Sequence, residues 1–396
     1  MKCNDARIGD VASFRKVSIK PDAGTIYHCY SLPAFDNARK PEVLDGSEIL
    51  SNKLHIENGD ILVNKLNMRF KRIWPVDSLQ ANSVCSTEFV PLCRNEKVDR
   101  DYLLYTLMSD DFTNALSGMR TGTSGSHQRV KPEWILDYKF PLPSIEKQRR
   151  IGSLLSSLDQ KIAINTKLNG YLEELLLAKC AELENGVKEF CTVDNYCKRV
   201  YSGGTPSTKN ASYWNGALPW LSSGETRARF IIGAEKTITP EGVRCSSTKL
   251  ARRGNVVMAS AGQGFTRGQT SMLLFDAYVN QSIAVMEPKE GCGSYLLFAL
   301  ARRYEELRAW SDSTSTRGSM SGKVLKQFAL PRLSNAQLGQ FETFANPLVQ
   351  RIEINLRESK SLAALRDALL PKLMSGEIDV SKVDLTQPNS HLLHYV

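Results

Sequence analysis

The sequence of 396 residues has no Cys-x-x-Cys pair, no long uninterrupted apolar run and only five histidines. Its nine cysteines are odd in number, and their spacing fits neither a zinc ribbon nor a disulfide framework. No stretch approaches the roughly 18 apolar residues typical of a membrane helix, and the first residues lack the apolar core of a signal peptide. The sequence therefore predicts a soluble, cytoplasmic protein with buried thiols.

Recognisable catalytic groups are also scarce. Asp276 and Glu287 have the rough spacing of a nuclease site, but the first half of the chain has Leu92 opposite Glu287. The histidines lack ligand spacing, apart from a pair in the C-terminal tail. We therefore expect no catalytic residue, no metal site and no cofactor in this chain.

The net charge is positive, and it is unevenly distributed along the chain. Lysine and arginine number 51 against 42 aspartates and glutamates, which gives a formal charge of +9. Residues 190–330 hold 18 basic and 10 acidic side chains, so nearly all of the excess lies there. A basic domain of this kind indicates a polyanionic partner such as nucleic acid.

An internal repeat is the strongest feature that is present. The chain matches itself at an offset of 188 to 195 residues, with five matches in the same order. They are DYLLYTL (101–107) with SYLLFAL (294–300), NGDILV (58–63) with RGNVVM (253–258), TEFVPL (87–92) with SIAVME (282–287), KFPLP (139–143) with QFALP (327–331), and QKIAIN (160–165) with QRIEIN (350–355). The repeat predicts one globular domain and one helical segment, duplicated once.

Short β-branched runs alternate with turn clusters in each globular copy, so the fold class is α+β, with two tandem α/β domains. Each domain is followed by a long α-helix. The predicted limits are 1–143 for the first domain, 144–185 for the first helix, 186–331 for the second domain, 332–380 for the second helix and 381–396 for the tail.

Both helical segments carry an apolar seam with steps of four and three residues, in the same phase. The first seam is Ile151, Leu155, Leu158, Ile162, Asn165, Asn169, Leu172, Leu176, Lys179 and Leu183, and the second lies 190 residues later, from Phe341 to Leu373. Ser144 is a suitable N-cap for the first helix, whose 40 or so residues span on the order of 60 Å. We expect the second helix to restart at Asn346 and Pro347. The shared phase favours an antiparallel coiled-coil pair over two helices lying on their own domains.

Two turns at matching positions carry side chains suited to DNA. Arginine and asparagine read guanine and adenine edges, and basic groups meet phosphates. In the first domain the residues are Lys65, Asn67, Arg69, Lys71 and Arg72, and in the second domain they are Gln263, Arg267 and Gln269. A solvated hairpin is the alternative for each turn alone.

Three further loops have similar chemistry and give further DNA-binding predictions. They combine hydroxyl groups with basic side chains, and one leads into the aromatic residues Tyr213, Trp214 and Trp220. The residues are Ser126, His127, Gln128, Arg129, Thr205, Ser207, Lys209, Arg317 and Ser319. A flexible surface loop is again the alternative.

The first helix has more apolar surface than a two-helix seam uses. Leu154, Leu168 and Leu175 lie off the seam, so they are exposed unless another surface packs against them. We therefore expect them to bind a partner protein.

The order of two variable domains, each followed by a Leu-Pro-led helix, resembles the specificity subunit of type I restriction-modification systems. The segments that carry the resemblance are SGGTPSTKNASYWNGALPWLSSGE (202–225), PLPSIEKQRR (141–150) and LRDALLPKLMSGEI (365–378). Asn335-Ala336-Gln337 departs from the family pattern by one inserted residue, which leaves the start of the second helix open.

The resemblance implies a non-catalytic DNA reader with two target recognition domains, each binding one half of a split, asymmetric target in double-stranded DNA. It implies that the helices dock two modification (methyltransferase) subunits, and that restriction subunits join for translocation and cleavage. S-adenosylmethionine and ATP would then bind to those partner subunits. A stand-alone two-domain DNA-binding protein is the alternative, and an enzyme is a second one.

Overall fold

The computed structural model describes residues 4–37, 39–119, 129–261, 264, 266–314, 320 and 322–382. The chain divides into two compact units. Unit 1 consists of Met1–Lys161 and Ser361–Val396, and unit 2 consists of Ile162–Lys360. The division falls inside the two long helices, so each unit contains one globular domain and a part of both helices.

Unit 1 contains eleven strands and a series of helices within its described residues. The strands are β1 (Asn4–Arg7), β2 (Ala12–Phe14), β3 (Ser18–Ile19), β4 (Ile26–Tyr30), β5 (Glu42–Asp45), β6 (Lys53–His55), β7 (Ile61–Asn64), β8 (Ile73–Pro75), β9 (Ser83–Ser86), β10 (Phe89–Arg94) and β11 (Lys139–Leu142). The helices are α1 (Ile8–Val11), α2 (Leu32–Asp36), α3 (Arg100–Met108), α4 (Asp110–Gly118), α5 (Pro132–Asp137) and the start of α6 (Ile145–Glu184), with a 3-10 turn at Gly46–Glu48.

Three sheets organise unit 1. A four-stranded sheet has the order β2-β10-β7-β8, a five-stranded sheet has the order β3-β6-β9-β4-β5, and β1 pairs with β11. Every residue of β7 is buried, which explains the apolar run ILV in its sequence. The antiparallel register places Val63 beside Val90 of β10 and beside Ile73 of β8.

Unit 2 contains a similar set of strands and helices. Its strands are β12 (Phe190–Thr192), β13 (Cys197–Ser202), β14 (Trp214–Leu221), β15 (Phe230–Ile231), β16 (Lys236–Ile238), β17 (Lys249–Ala251), β18 (Val256–Ala259), β19 (Thr270–Leu273), β20 (Ala277–Val279), β21 (Ile283–Pro288) and β22 (Ala329–Pro331). Its helices are α7 (Val193–Tyr196), α8 (Pro240–Arg244), α9 (Gly293–Ala301), α10 (Tyr304–Thr314), α11 (Gly322–Lys326) and most of α12 (Asn335–Ser375), with 3-10 turns at Ala211–Tyr213 and Ser223–Glu225. A fourth 3-10 turn, Val380–Lys382, follows α12 and belongs to unit 1.

The sheets of unit 2 share most of the strand order of unit 1, with one strand more in the first sheet and one strand fewer in the second. One sheet has the order β13-β21-β18-β19-β15, a second has the order β16-β14-β20-β17, and β12 pairs with β22. Strands β2, β10, β7 and β8 therefore correspond to β13, β21, β18 and β19. In both units the second sheet contains one parallel pair, β4 with β9 in unit 1 and β14 with β20 in unit 2. The predicted fold class, two α/β domains each followed by a long helix, is confirmed.

Each unit packs one buried helix between its sheet and its long helices. This helix is α3 in unit 1 and α9 in unit 2, and their tyrosine hydroxyls donate to equivalent carbonyls. Tyr102 Oη lies 2.7 Å from Pro141 O, and Tyr295 Oη lies 3.0 Å from Pro331 O. The long helices contact the starts of both buried helices, because Gln148 Oε1 accepts from Asp99 N and Glu342 Oε1 accepts from Ser294 N.

The long helices begin with the expected caps. Ser144 Oγ accepts a hydrogen bond from Lys147 N, and Gln148 N donates to Ser144 O. Before α12, Ser334 and Gln337 form a capping box, since Ser334 N donates to Gln337 Oε1 and Gln337 N donates to Ser334 Oγ. The inserted residue therefore leaves a well-capped helix start.

The expected restart at Asn346 and Pro347 is wrong, because α12 is continuous from Asn335 to Ser375. Proline inside a helix removes one backbone hydrogen bond and favours a break. Here Phe341, Ala345 and Val349 on either side of Pro347 are all buried in the core of unit 2. We attribute the continuity to this packing, which outweighs the local cost of the proline.

The seam holds the two long helices antiparallel, as expected. In unit 2, Asn165 Nδ2 lies 2.8 Å from Glu358 Oε2, and Asn355 Nδ2 lies 2.8 Å from Asn169 Oδ1. Asn165 is 2% exposed and Asn355 is 1% exposed. Buried amides at matched seam positions fix the register, because a shifted helix would leave them unsatisfied.

Candidate nucleic-acid interface

The turn that follows β7 in unit 1 has a fixed backbone. Asn64 is fully buried, and its side chain accepts from Arg72 N and donates to Leu66 O at 2.8 Å. Asn67 adopts a left-handed φ of 53°, and its carbonyl accepts from Phe70 N at 2.9 Å. The buried asparagine therefore closes the turn at both ends and sets the direction of the side chains between them.

Two of the predicted DNA-binding residues in this turn are bound to carboxylates. Arg72 donates two hydrogen bonds to Asp36, at 2.8 and 2.7 Å, and its side chain is only 18% exposed. These hydrogen bonds lower the pKa of Asp36 below its usual value. Lys71 Nζ lies 2.5 Å from Asp110 Oδ1. Arg72 therefore attaches the turn to helix α2, and its expected role as a base-reading side chain stays a prediction.

Other groups of this turn face outward. Arg69 and Phe70 are exposed, and Lys65 is partly exposed with its backbone hydrogen-bonded to Glu88 O and Val130 N. Asn67 is partly exposed and has further contacts of its own.

The link between Arg72 and Asp36 reveals two basic residues that sequence reasoning missed. Arg39 and Lys40 are exposed and follow α2, three and four residues beyond Asp36. Arg39 has a left-handed φ of 52°, and its guanidinium lies 4.6 Å from the ring centroid of Phe35. The Arg-Lys-Pro sequence was the available signal, but only the fold connects it to the turn after β7.

The loop before the first long helix is described only at its end. Ser126, His127 and Gln128 lie outside the described residues. Arg129 is exposed and forms a 2.7 Å ion pair with Glu88. It also lies next to the turn, through a β-bridge between residues 66 and 129.

The corresponding turn of unit 2 is built differently. Gln263 lies outside the described residues. Arg267 is 4% exposed and forms a 2.7 Å ion pair with Asp312. Gln269 Nε2 donates to Arg227 O at 2.6 Å. Asp312 therefore holds the guanidinium of Arg267 in an ion pair, and the expectation that Arg267 binds DNA stays a prediction.

Gln269 and Arg72 have equivalent positions, each directly before the next strand. Both donate to the segment that follows the parallel strand of the second sheet, to Arg227 O in unit 2 and to Asp36 in unit 1. In both units a side chain therefore joins two neighbouring loops by hydrogen bonds, but that side chain is Arg72 in unit 1 and Gln269 in unit 2.

The loop after β13 is the most accessible predicted element of unit 2. Thr205, Ser207 and Lys209 are all exposed. Thr205 Oγ1 lies 2.5 Å from Gln281 Oε1, and Ser207 O accepts from Trp214 Nε1 at 3.1 Å. These contacts hold the loop and leave Lys209 exposed at its tip. Arg317 and Ser319 lie outside the described residues.

The leucines predicted to bind a partner differ in exposure. Leu154 is 3% exposed, so other parts of the chain already cover it, and its expected exposure is wrong. Leu168 is partly exposed and Leu175 is 47% exposed. Ile164 and Tyr171, which sequence reasoning missed, are 60% and 56% exposed.

Residues 164, 168, 171 and 175 have the i, i+4, i+7, i+11 spacing of one helix face. We call this face of α6 the apolar stripe. The stripe flanks the seam, because each of its residues directly precedes a seam residue and so lies about 100° from it around the helix. The period of the sequence was the signal that could have found it.

Acidic groups do not gather into a metal site in the described part of the chain, where no cluster of three or more His, Cys, Asp or Glu could hold an ion. Asp276 pairs with Arg252, and Glu287 pairs with Arg199. No helix within the described residues is long and apolar enough to cross a membrane.

Comparison with known proteins agrees with this architecture. Residues 3–174 match the model of the type I restriction modification DNA specificity domain. The chain is 20% identical over 349 residues to the type I restriction enzyme MjaIX specificity subunit of Methanocaldococcus jannaschii, covering 79% of this chain and 80% of that protein. It is 19% identical over 407 residues to the HindI specificity subunit of Haemophilus influenzae, covering 82% and 88%.

The fold is also found in a solved structure. The S subunit of a type I restriction-modification system from M. genitalium superposes with a TM-score of 0.61 at 14% identity, over 94% of this chain and 96% of that one. The expected resemblance is thereby confirmed: residues 3–174 match the family's specificity domain, and most of the chain is similar to specificity subunits of type I restriction enzymes.

Proposed function

We propose that this chain recognises a split, asymmetric target in double-stranded DNA, with one half-site bound by each unit. The observation that carries the proposal is a pair of neighbouring loops joined by a side chain, Arg72 to Asp36 in unit 1 and Gln269 to Arg227 in unit 2. We call these pairs the tied loops, and they have the same topological position in both units. In unit 1, Arg39, Lys40 and Arg69 lie on or beside the tied loops, and in unit 2 the exposed Lys209 lies on the loop after β13. The excess of 18 basic over 10 acidic residues in 190–330 supports phosphate binding.

Binding of DNA by the purified chain gives the first test. Because phosphate contacts dominate such interfaces, we expect weak binding to duplex DNA that falls steeply between low and moderate salt. The measurement is a series of equilibrium titrations at increasing salt. Affinity that does not change with salt would contradict the proposal.

We further propose that the chain itself is not an enzyme and takes no cofactor. It recruits two modification subunits, which bind S-adenosylmethionine and transfer the methyl group, and restriction subunits that use ATP. The names of the relatives support this role. Methyl transfer or cleavage by the purified chain alone would contradict it, and isolation of the chain without a second polypeptide would favour the stand-alone DNA-binding alternative.

The apolar stripe is the proposed docking face for a modification subunit. It exposes three large apolar side chains on a helix whose seam is already filled. Exposed apolar surface of this kind is typical of protein interfaces. The double variant Leu168→Glu, Leu175→Glu should release the modification subunit and leave the chain folded.

Ala163→Glu provides the matched control, because Ala163 is exposed on α6 outside the stripe. It should retain the partner. Stoichiometric co-purification of the modification subunit with the double variant would refute the assignment.

The long helices would set the distance between the half-sites. A helix rises ~1.5 Å per residue, so insertion of one turn, ~5.4 Å, into both helices should change the number of unread base pairs. The bases read in each half-site should stay the same. Mapping of methylated sites would reveal a changed gap with unchanged half-sites, and changed half-site bases would contradict this role.

A further inference from the structure

Phe70 is an exposed aromatic residue at the tip of a well-fixed turn. It is 48% exposed, whereas Met68, two residues earlier, is 5% exposed and anchors the turn to the unit. Single exposed apolar residues are common on protein surfaces, so exposure alone does not define a site. The surroundings of Phe70 carry the argument.

The turn cannot easily fold the ring back onto the protein. Phe70 N donates to Asn67 O at 2.9 Å, and Arg72 N donates to Phe70 O at 2.8 Å. The side chain of Arg72 is held by its two hydrogen bonds to Asp36. The ring is therefore presented to solvent before any ligand arrives, which lowers the entropic cost of binding.

Cations surround the ring. The guanidinium groups of Arg69 and Arg72 lie 4.8 and 5.1 Å from its centroid. Arg39 and Lys40 follow the helix to which the turn is tied. An apolar group within a cationic surface suits a polyanion that also offers a small apolar contact.

Duplex DNA provides that contact in its major groove, where the C5-methyl group of thymine is an apolar feature among hydrogen-bonding edges. Stacking on a base would compete with the cation–π contacts, because the guanidinium groups already lie over the ring. An edge of the ring can meet a methyl group without this loss.

We propose that Phe70 reads the methyl group of one thymine in the half-site bound by unit 1 and is a specificity-determining residue. This inference rests on the proposed function. Counted back from the next strand, the position of Phe70 corresponds to Arg267 in unit 2, which is buried and bound to Asp312. The contact therefore belongs to one half-site only.

The test uses the full chain in complex with its modification subunits and a duplex that carries the target mapped by methylation. Each thymine of the half-site is replaced in turn by deoxyuridine, which lacks the methyl group and keeps the base pairing. We expect one replacement to weaken binding by the wild-type complex roughly fourfold, the value of about one buried methyl group. The same replacement should have no effect on the Phe70→Ala complex.

Val43→Ala is the matched control, because Val43 is an exposed apolar residue of unit 1 outside the turn, at 60% exposure. It should bind both duplexes as the wild type does. The alternative is that Phe70 inserts as a wedge between bases. In that case Phe70→Ala would lose the same affinity for every duplex, and 2-aminopurine fluorescence would report unstacking by the wild type. This result would overturn the proposal. No effect of Phe70→Ala would overturn it too.

Failure of the proposed function has a different signature. In that case the wild-type complex would not distinguish the mapped target from unrelated DNA. If the target is distinguished and no deoxyuridine replacement matters, only the assignment of Phe70 is wrong.

Discussion

The two units pack equivalent helices with opposite chemistry. In unit 1, Tyr105 on α3 donates to Asp159 on α6 at 2.6 Å, and Asp159 also binds Arg366 on α12. The matching positions of unit 2, at the offsets of the repeat, are Phe298, Val349 and Leu176, and all three lie in its apolar core. One duplicated interface has thus become polar and the other apolar.

A second polar cluster lies in unit 2 and has no equivalent in unit 1. Glu184 near the end of α6 accepts from Arg303 at 3.0 and 2.9 Å, from Tyr295 Oη at 3.2 Å, and also from Arg302. The matching position to Glu184 in α12 is Met374. The comparison teaches that each unit is now adapted to its own stretch of helix, so the two copies are not interchangeable.

The largest effect should come from Glu184→Met, which places the residue of unit 1 in unit 2. Removal of one member of a buried ion pair leaves uncompensated charge, so we expect a loss of about 3 kcal/mol in the free energy of unfolding. Urea denaturation measures it. Glu182→Met is the control, since Glu182 is exposed and should change stability by less than about 0.5 kcal/mol. Equal effects of the two variants would contradict the account.

A smaller effect is expected at the polar interface of unit 1. Asp159→Val should cost about 2 kcal/mol, because Arg366 and the Tyr105 hydroxyl lose their shared acceptor. The triple variant Tyr105→Phe, Asp159→Val, Arg366→Leu copies unit 2 and should recover most of that loss. The measurement is the free energy of unfolding of the wild type, Asp159→Val and the triple variant. A triple variant as unstable as Asp159→Val would show that the two interfaces differ in more than polarity.

The turns after β7 and β18 should also respond differently. Arg267→Met breaks a buried contact with Asp312 and should lower the free energy of unfolding by about 1 kcal/mol. Arg69→Met alters an exposed side chain and should leave stability unchanged, but it should weaken DNA binding and lower the salt slope by about one ion. If the free energy of unfolding fell with Arg69→Met and stayed constant with Arg267→Met, the structural role given to Arg267 and the DNA-binding role given to Arg69 would be contradicted.

The smallest effect concerns pH. In unit 2, Arg253 donates to Glu353 at 2.7 and 2.5 Å, whereas the residues at the matching positions of the sequence repeat are Asn58 and Ala163. The hydrogen bonds from Arg253 lower the pKa of Glu353. A lowered carboxyl pKa adds stability above the unfolded-state pKa, and that stability is lost as pH falls through the folded-state pKa.

Glu353→Gln should therefore reduce stability at neutral pH and flatten its decline at acid pH. Thermal unfolding across the acid range, with wild type and variant side by side, measures this difference. Parallel curves would contradict the role given to Arg253.

Periodic features of the fold could be predicted from the sequence. The repeat predicted two matching domains, each followed by a helix, and the seam predicted the buried Asn165 and Asn355, because both signals are patterns with a fixed period. The break at Pro347 was wrong because packing around Phe341 and Val349 outweighs the local preference of proline.

The geometry of the two predicted DNA-binding turns was harder to predict. Arg72 and Arg267 match the chemistry of base readers, but their partners Asp36 and Asp312 lie 36 and 45 residues away in the chain. No local pattern reports such pairing. The exposed Arg39 and the apolar stripe became evident only when burial was known for each residue.

The central claim is that each unit reads its own half of the DNA target. The most direct test maps methylated sites across a genome for the wild type, for Arg69→Gln in unit 1 and for Lys209→Gln in unit 2. The account predicts that Arg69→Gln relaxes or abolishes recognition of one half-site, with a cost of about 1–3 kcal/mol if a bidentate base contact is lost. Lys209→Gln should weaken methylation through the other half-site, with the gap unchanged in both variants. Both half-sites changing together in either variant, or the gap changing while the bases stay the same, would contradict the claim.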